Sequence, residues 1–225
     1  IDVIADQLGV PREDAPLIKR WTDAMITAER KLACTREIVD FQRYFVQLRE
    51  RKIREPRNNI LSTLAVANTD EGVALTTEKF IAICAQLMVA GNETTLNHLA
   101  KGAWLLTQRA DLLQALHDEP TLAARFVDET LRLESPVKGL FRRCTRDYPL
   151  GGAVIPAGAR VVLLYGAANR DPREFPDPAE LRLDRPNVTR HVAFGHGIHG
   201  CVGRVLATAE LTAAFVALSE AEPRI

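Results

Sequence analysis

Residues 76–109 contain no proline and read as one helical stretch, about 50 Å long at the usual rise per residue. A helix of that length is the central element of whatever fold contains it. Thr76 or Thr77 can cap its start, and Glu78 sits favourably in the first turn. Its middle is anomalous. Ala90-Gly91-Asn92-Glu93-Thr94-Thr95 places glycine, polar groups and two β-branched hydroxyl residues where a buried helix should be apolar. Each weakens the helix locally, by a few tenths to about 1 kcal/mol. Such a violation in a central helix points to function or to a kink.

The sequence is helical before this stretch and mixed after it. Leu17, Ile18, Trp21, Ala24 and Met25 recur at three- and four-residue steps after Pro11. Ile38, Phe41, Phe45, Leu48 and Ile53 repeat the pattern on a second helix that Pro56 must end. The charged run 48–57 reads as the solvated end of that helix. Glu50 and Glu55 interrupt it and no aromatics interleave it, which argues against a nucleic-acid patch. Shorter helices are expected over 111–117, closed by Pro120, and over 121–133, capped by Thr121 and stopped before Ser135-Pro136. Gly151-Gly152, Pro156-Ala157-Gly158 and the run 160–165 read as turns and short strands. Residues 171–186 carry four prolines and form an ordered loop, and 206–218 form a last helix. The fold class is mainly α with a small β region.

With 47% apolar and 26% charged residues over 225 positions, the chain can bury a core and is not disordered. Its 29 basic and 29 acidic side chains cancel, so nucleic acid and membrane surfaces are not natural partners. The apolar run around 161–164, like the others in the chain, is far too short to span a bilayer. The chain opens Ile1-Asp2-Val3-Ile4, with no Met and no basic leader, as expected of a processed product, a trimmed chain or a fragment. Cys34, Cys84, Cys144 and Cys201 form no C-x-x-C pair and read as reduced thiols of a cytoplasmic protein. The first three are expected to be small core hydrophobes.

Cys201 is different. It lies in Phe194-Gly195-His196-Gly197-Ile198-His199-Gly200-Cys201-Val202-Gly203. Glycines at this density fill nothing; they permit a tight loop and close approach of another body. The mouth of the following helix favours a thiolate at Cys201. Three readings compete: haem iron held by Cys201; zinc held by His191, His196, His199 and Cys201; and a nucleophilic cysteine activated by His199. The zinc spacing matches no common site and the Cys/His pair has no evident orienting group, so haem leads.

The segment resembles the haem-binding loop of the cytochrome P450 superfamily, F-G-x-G-x-H-x-C-x-G, met here at Phe194, Gly195, Gly197, His199, Cys201 and Gly203. Ala90-Gly91-x-Glu93-Thr94-Thr95 resembles the family's oxygen-activation motif, and Glu129-Thr130-Leu131-Arg132 its E-x-x-R signature. Arg142-x-Cys144-x-x-Asp147 with Gly151-Gly152 is similar to the strand region of bacterial members. Asn169-Arg170-Asp171-Pro172 and Asp184-Arg185-Pro186 fit the stretch before the loop. The motifs come in family order from residue 76 onward. The first 75 residues look like the preceding helices.

The resemblance implies a cytochrome P450 fold over 1–225, incomplete at both ends, with little more than half a family chain present. It implies a haem-thiolate monooxygenase with Cys201 as the axial ligand of haem b. His199 and Arg142 are then expected at the haem propionates, with Phe194, Gly195 and Gly203 shaping the loop. Thr94 becomes the hydroxyl facing dioxygen and Glu93 the carboxylate feeding protons towards it. Gly91 relaxes the helix so that dioxygen fits. Glu129 and Arg132, three apart on one helix, form a buried bidentate clamp joined by Arg185. Ala90, Val137, Lys138 and Leu140 line the substrate pocket, and an inward Lys138 would imply a carboxylate-bearing substrate. His98 and His117 carry no expected role. Electrons come from NAD(P)H through a ferredoxin reductase and an acidic ferredoxin, which the cluster Arg190, His191, His196 and Arg204 would suit. The protein is expected to be a soluble cytoplasmic monomer acting on a small organic molecule. Alternatives are a non-catalytic haem-binding remnant and, more distantly, a zinc-stabilised interaction domain.

Overall fold

A computed structural model describes residues 2–27, 35–68 and 72–221. The helices are α1 (Asp2–Leu8), α2 (Ala15–Thr27), α3 (Thr35–Arg54), α4 (Ile60–Ala65), α5 (Thr77–Gln108), α6 (Ala110–Asp118) and α7 (Leu122–Leu133), then α8 (Tyr165–Ala168) and α9 (Arg204–Glu220). Between α7 and α8 lie β1 (Leu140–Arg143), β2 (Tyr148–Leu150), β3 (Ala153–Ile155) and β4 (Arg160–Leu163). Among the described residues no helix is long and apolar enough to cross a membrane. The chain divides into two compact units, Ile1–Glu93 and Thr94–Ile225.

The first unit is built on the two periodic helices. Ile18 and Trp21 of α2 and Phe41, Phe45 and Leu48 of α3 are buried together. The Trp21 and Phe41 rings meet edge-on at 6.1 Å, and Phe41 lies 4.4 Å from Phe45. Phe80, Cys84 and Met88, one turn apart on α5, complete this core. Ile53, expected on the apolar face, is half exposed, and Lys52 is the buried residue instead. A long aliphatic stem can cover apolar surface that the charge itself avoids. Burial lowers the Lys52 pKa, and Arg57 and Arg51 lower it further. Thr76 Oγ1 accepts the Lys79 N–H at 3.3 Å, so Thr76 caps α5.

In the second unit, Leu106 of α5 packs with Leu112 and Leu116 of α6, Phe126, Val127 and Leu131 of α7, and Leu211 and Phe215 of α9. Phe126 and Phe215 meet edge-to-face at 5.0 Å. Gly102 lets the Phe215 ring press against α5 where any Cβ would collide. Thr121 is not the cap it was expected to be. It already has helical angles (φ −63°, ψ −21°) and makes no side-chain cap bond. Glu119 and Pro120 offer their carbonyls to Leu122 and Ala123, so the turn starts earlier. The Thr121 hydroxyl donates to the Glu119 carboxylate instead.

β1 pairs antiparallel with β4, Leu140 opposite Leu163 and Arg143 opposite Arg160. β2 and β3 form a hairpin whose two-residue turn, Gly151-Gly152, has φ of +58° and +81°. Two consecutive positive φ values are what this turn type demands. Residues 171–186 form neither strand nor helix, as expected.

Candidate functional site

Gly195 and Gly197 turn with φ of +70° and +69°, left-handed conformations that a side chain would strain. The Gly195 N–H donates to the Val192 carbonyl at 2.9 Å, and the Cys201 N–H to the Phe194 carbonyl at 2.8 Å. These bonds close the loop at its base and leave Cys201 exposed just before α9 begins. Around it Ile198, Val202 and Val205 are 97%, 88% and 82% exposed. Nothing lies within 4 Å of where a Cβ on Gly197 would stand. An exposed thiol amid bare aliphatic side chains and an open glycine is poorly suited to water. It suits an apolar body attached through sulfur.

The clamp residues come together. Glu129, Arg132 and Arg185 are all buried. Arg132 Nε and Nη2 donate to the two Glu129 oxygens at 2.8 Å each, and Arg185 Nε reaches Oε1 at 3.1 Å. The Arg182 N–H adds a fourth bond to that oxygen pair at 3.0 Å. The remaining guanidinium hydrogens point at carbonyls: Arg132 at Asn169, Pro178 and Glu180, Arg185 at Pro176, Asp177 and Glu180. Asp177 sits at φ +48°. The Phe175 ring covers the Arg132 guanidinium at 5.2 Å. Buried charges are tolerated only when paired and hydrogen-bonded, as these are.

The helix α5 runs unbroken through Ala90–Thr95. Ala90 and Glu93 are exposed, Thr94 is half-buried, and Asn92 is buried. A Cβ on Gly91 would meet the Ile4 side chain of α1 at 2.9 Å, so this glycine admits α1 closely. Val137 is half-buried and Leu140 exposed on β1. Lys138 is exposed, its Nζ 3.3 Å from Glu134 Oε2. Its counter-charge is thus supplied on the surface, against an inward role. Arg142 donates to the neighbouring Phe141 carbonyl at 2.9 Å, and His199 is exposed in the turn Gly197–His199. A cavity of about 470 Å³ lies elsewhere in the second unit, lined by Leu105, Arg109, Leu133, Glu134, Arg170 and Leu181.

The proposed basic cluster is corrected. His191 is buried, with Nε2 3.3 Å from Asp128 Oδ1, and Nδ1 accepts the Ala193 N–H at 3.2 Å. Arg190 pairs with Glu174 at 3.0 Å, and Arg204 stacks over Phe194 at 5.6 Å. Among the described residues no group of three or more His, Cys, Asp or Glu is placed to hold a metal ion, which removes the ligand set of the zinc reading. Cys84 is a core residue whose thiol burial pushes up to about 12. Cys144 is half-buried and donates to the Arg146 carbonyl, and Cys34 lies outside the described residues. His117 Nδ1 lies 3.0 Å from the Ser219 carbonyl. Two partnerships had no sequence signal beyond residue type: Asp128 with His191, and His98 Nε2 with Thr130 Oγ1 at 3.0 Å.

An exposed thiol on a glycine loop, with a buried carboxylate–guanidinium clamp in the same unit, is an arrangement suited to an apolar cofactor bound through sulfur. The chain belongs to the cytochrome P450 family, whose model matches residues 1–219. It is 36% identical over 224 residues to the cytochrome P450 monooxygenase PikC of Streptomyces venezuelae, covering 99% of this chain and 54% of that protein. It is 35% identical over 231 residues to the biotin biosynthesis cytochrome P450 of Bacillus subtilis, covering 99% and 58%. The crystal structure of CYP109E1 from Bacillus megaterium with corticosterone superimposes with a TM-score of 0.90 at 36% identity, covering 99% of this chain and 61% of that one. The chain therefore spans little more than half the length of these relatives. Its fold is mainly α with a small β region, a partial cytochrome P450 fold.

Proposed function

We propose that this chain is part of a haem-thiolate monooxygenase that inserts one atom of dioxygen into a small organic substrate, the other leaving as water. The observation that carries the reading is Cys201, an exposed thiol on a glycine loop whose sequence neighbours Ile198, Val202 and Val205 are bare aliphatic side chains. Haem b fits these residues: a soft thiolate donor, an open glycine and apolar surface in want of cover. When bound, haem supplies a thiolate-ligated iron for dioxygen activation, the thiolate favouring O–O cleavage.

The chain's own residues divide the work. Cys201 donates sulfur, and Phe194, Gly195 and Gly203 hold the loop that presents it. His199 and Arg142 bind the propionates. Glu129, Arg132 and Arg185 lock the preceding segment in place. Thr94 orients dioxygen through its hydroxyl, Glu93 delivers protons to it, and Gly91 keeps α5 thin beside them. Ala90, Val137 and Leu140 contact the substrate, an apolar molecule; the similar CYP109E1 crystallised in complex with corticosterone. With Lys138 exposed to solvent and sharing the Glu134 carboxylate with Lys101 and Arg170, no carboxylate on the substrate is called for. Two electrons come from NAD(P)H through ferredoxin reductase and ferredoxin, in a soluble cytoplasmic system with a monomeric oxygenase. Of the basic cluster, His196 and Arg204 are exposed and available to an acidic partner.

The test is the carbon monoxide complex of the reduced, haem-loaded protein. A thiolate ligand gives a strongly red-shifted Soret band that Cys201→Ala abolishes. Haem bound without that band in the parent chain would overturn the reading. Turnover with a surrogate ferredoxin pair, or with peroxide, separates a monooxygenase from a non-catalytic haem-binding module.

A further inference from the structure

Asn169 is fully buried directly after α8, and every polar group it owns is engaged. Its N–H donates to the Tyr165 carbonyl at 2.9 Å, and its carbonyl accepts Arg132 Nη1 at 2.9 Å. Its Nδ2 donates at 2.9 Å to Ser135 Oγ, whose hydroxyl donates to the Leu131 carbonyl of α7 at 2.8 Å. Its Oδ1 accepts the Val192 N–H at 2.7 Å. From Val192 the chain of bonds continues: the Val192 carbonyl accepts the Gly195 N–H, and the Phe194 carbonyl accepts the Cys201 N–H. A continuous path thus runs from the Glu129–Arg132 clamp, through one amide side chain, to the backbone of Cys201. The Asp128–His191 pair pins the residue just before Val192 to the same helix.

We propose that Asn169 is a positioning residue: it ties the cysteine loop to the buried clamp and so fixes where Cys201 presents its sulfur. Arg132 does not touch the loop. Its rigidity reaches the loop because Asn169 bonds both, one with its carbonyl and the other with its side chain. An orphaned amide at Val192 would leave the base of the loop free to open. The consequence for the iron ligand rests on the function proposed above, whereas the consequence for the loop backbone does not.

The test is amide hydrogen exchange, read by mass spectrometry over 192–203, with α6 and α9 peptides as references. Asn169→Ala should speed exchange in 192–203 by about tenfold, the factor that one hydrogen bond of ordinary net strength supplies. The reference peptides should stay unchanged. Asn169→Asp gives up the Nδ2 donor to Ser135 Oγ but retains an acceptor for the Val192 N–H, and should restore most of the protection. In haem-loaded protein Asn169→Ala should shift part of the reduced carbonyl complex out of the red-shifted thiolate band, and Asn169→Asp should return it. Unchanged exchange in 192–203, acceleration across the whole chain, or an unfolded Asn169→Ala protein would each overturn the proposal. If the exchange results appear as stated but the parent chain never shows the thiolate band, the haem reading falls and the positioning role stands.

Discussion

Replacing His98 by leucine should flatten the acid side of the stability profile. The imidazole is 1% exposed, with Nε2 3.0 Å from Thr130 Oγ1 and no hydrogen-bond partner at Nδ1. Burial pushes its pKa from 6.5 down to about 4; the backbone and carboxylate of Glu134 oppose this, and His191 and Lys138 add repulsion. The unfolded chain therefore takes up a proton that the folded chain refuses between those two values. Stability from this group is fully present above about pH 6.5 and is lost as pH falls towards 4. Linkage between the two values gives a loss of about 2 kcal/mol from pH 7 to pH 5, and about 3 kcal/mol by pH 4. His98→Leu leaves Thr130 its bonds to the Phe126 and Val127 carbonyls and removes an unsatisfied nitrogen. Stability at pH 7 should then change by less than about 1 kcal/mol. Urea unfolding followed by far-ultraviolet circular dichroism at pH 7, 6 and 5 measures both proteins. Their difference isolates His98 from every other titrating group. If the difference between them shifts by less than about 0.5 kcal/mol from pH 7 to pH 5, the argument is wrong.

Glu129→Ala strips the anion from two buried guanidinium groups and should cost about 3–5 kcal/mol in urea unfolding, with haem no longer retained; a stable, fully loaded variant would contradict the clamp. Thr94→Ala should still bind haem yet divert reducing equivalents into peroxide, measured as peroxide formed per substrate oxidised; full coupling would remove Thr94 from the oxygen site. Lys138→Met should leave the binding constant of an apolar substrate within about twofold, because the ammonium already faces Glu134; a large loss for carboxylate-bearing ligands alone would restore the inward reading.

What could be read from the residues was whatever a local rule encodes. Thr76 and the absence of proline to 109 mark α5, which spans Thr77–Gln108. The three-residue spacing of Glu129 and Arg132 places both on one face, and the glycines around Cys201 announce their turns. Ranges drawn from periodicity are short by one or two residues where frayed ends are held by tertiary contacts, as in α9, which runs Arg204–Glu220 rather than 206–218. Partners far apart in the chain leave no such mark. His98 meets Thr130 32 positions away, and His191 meets Asp128 63 positions away. Charge count alone therefore put His191 on the surface, when its pairing with the half-buried Asp128 carboxylate draws it inside. Thr121 failed as a cap for a related reason: the Glu119 carboxylate competes for its hydroxyl, and backbone carbonyls already serve the first turn.

The way Arg132 and Arg185 hold residues 176–180 has a consequence for variation. Their contacts to Pro176, Asp177, Pro178 and Glu180 are all with main-chain carbonyls. A carbonyl carries no record of its side chain, so the two arginines recognise the path of this segment and not its spelling. Point changes along the segment are cheap wherever the new residue can follow the same path. A deletion is costly, because it shifts these carbonyls away from their fixed donors and leaves buried guanidinium N–H groups without acceptors. This short irregular stretch is thereby freer in composition than in length.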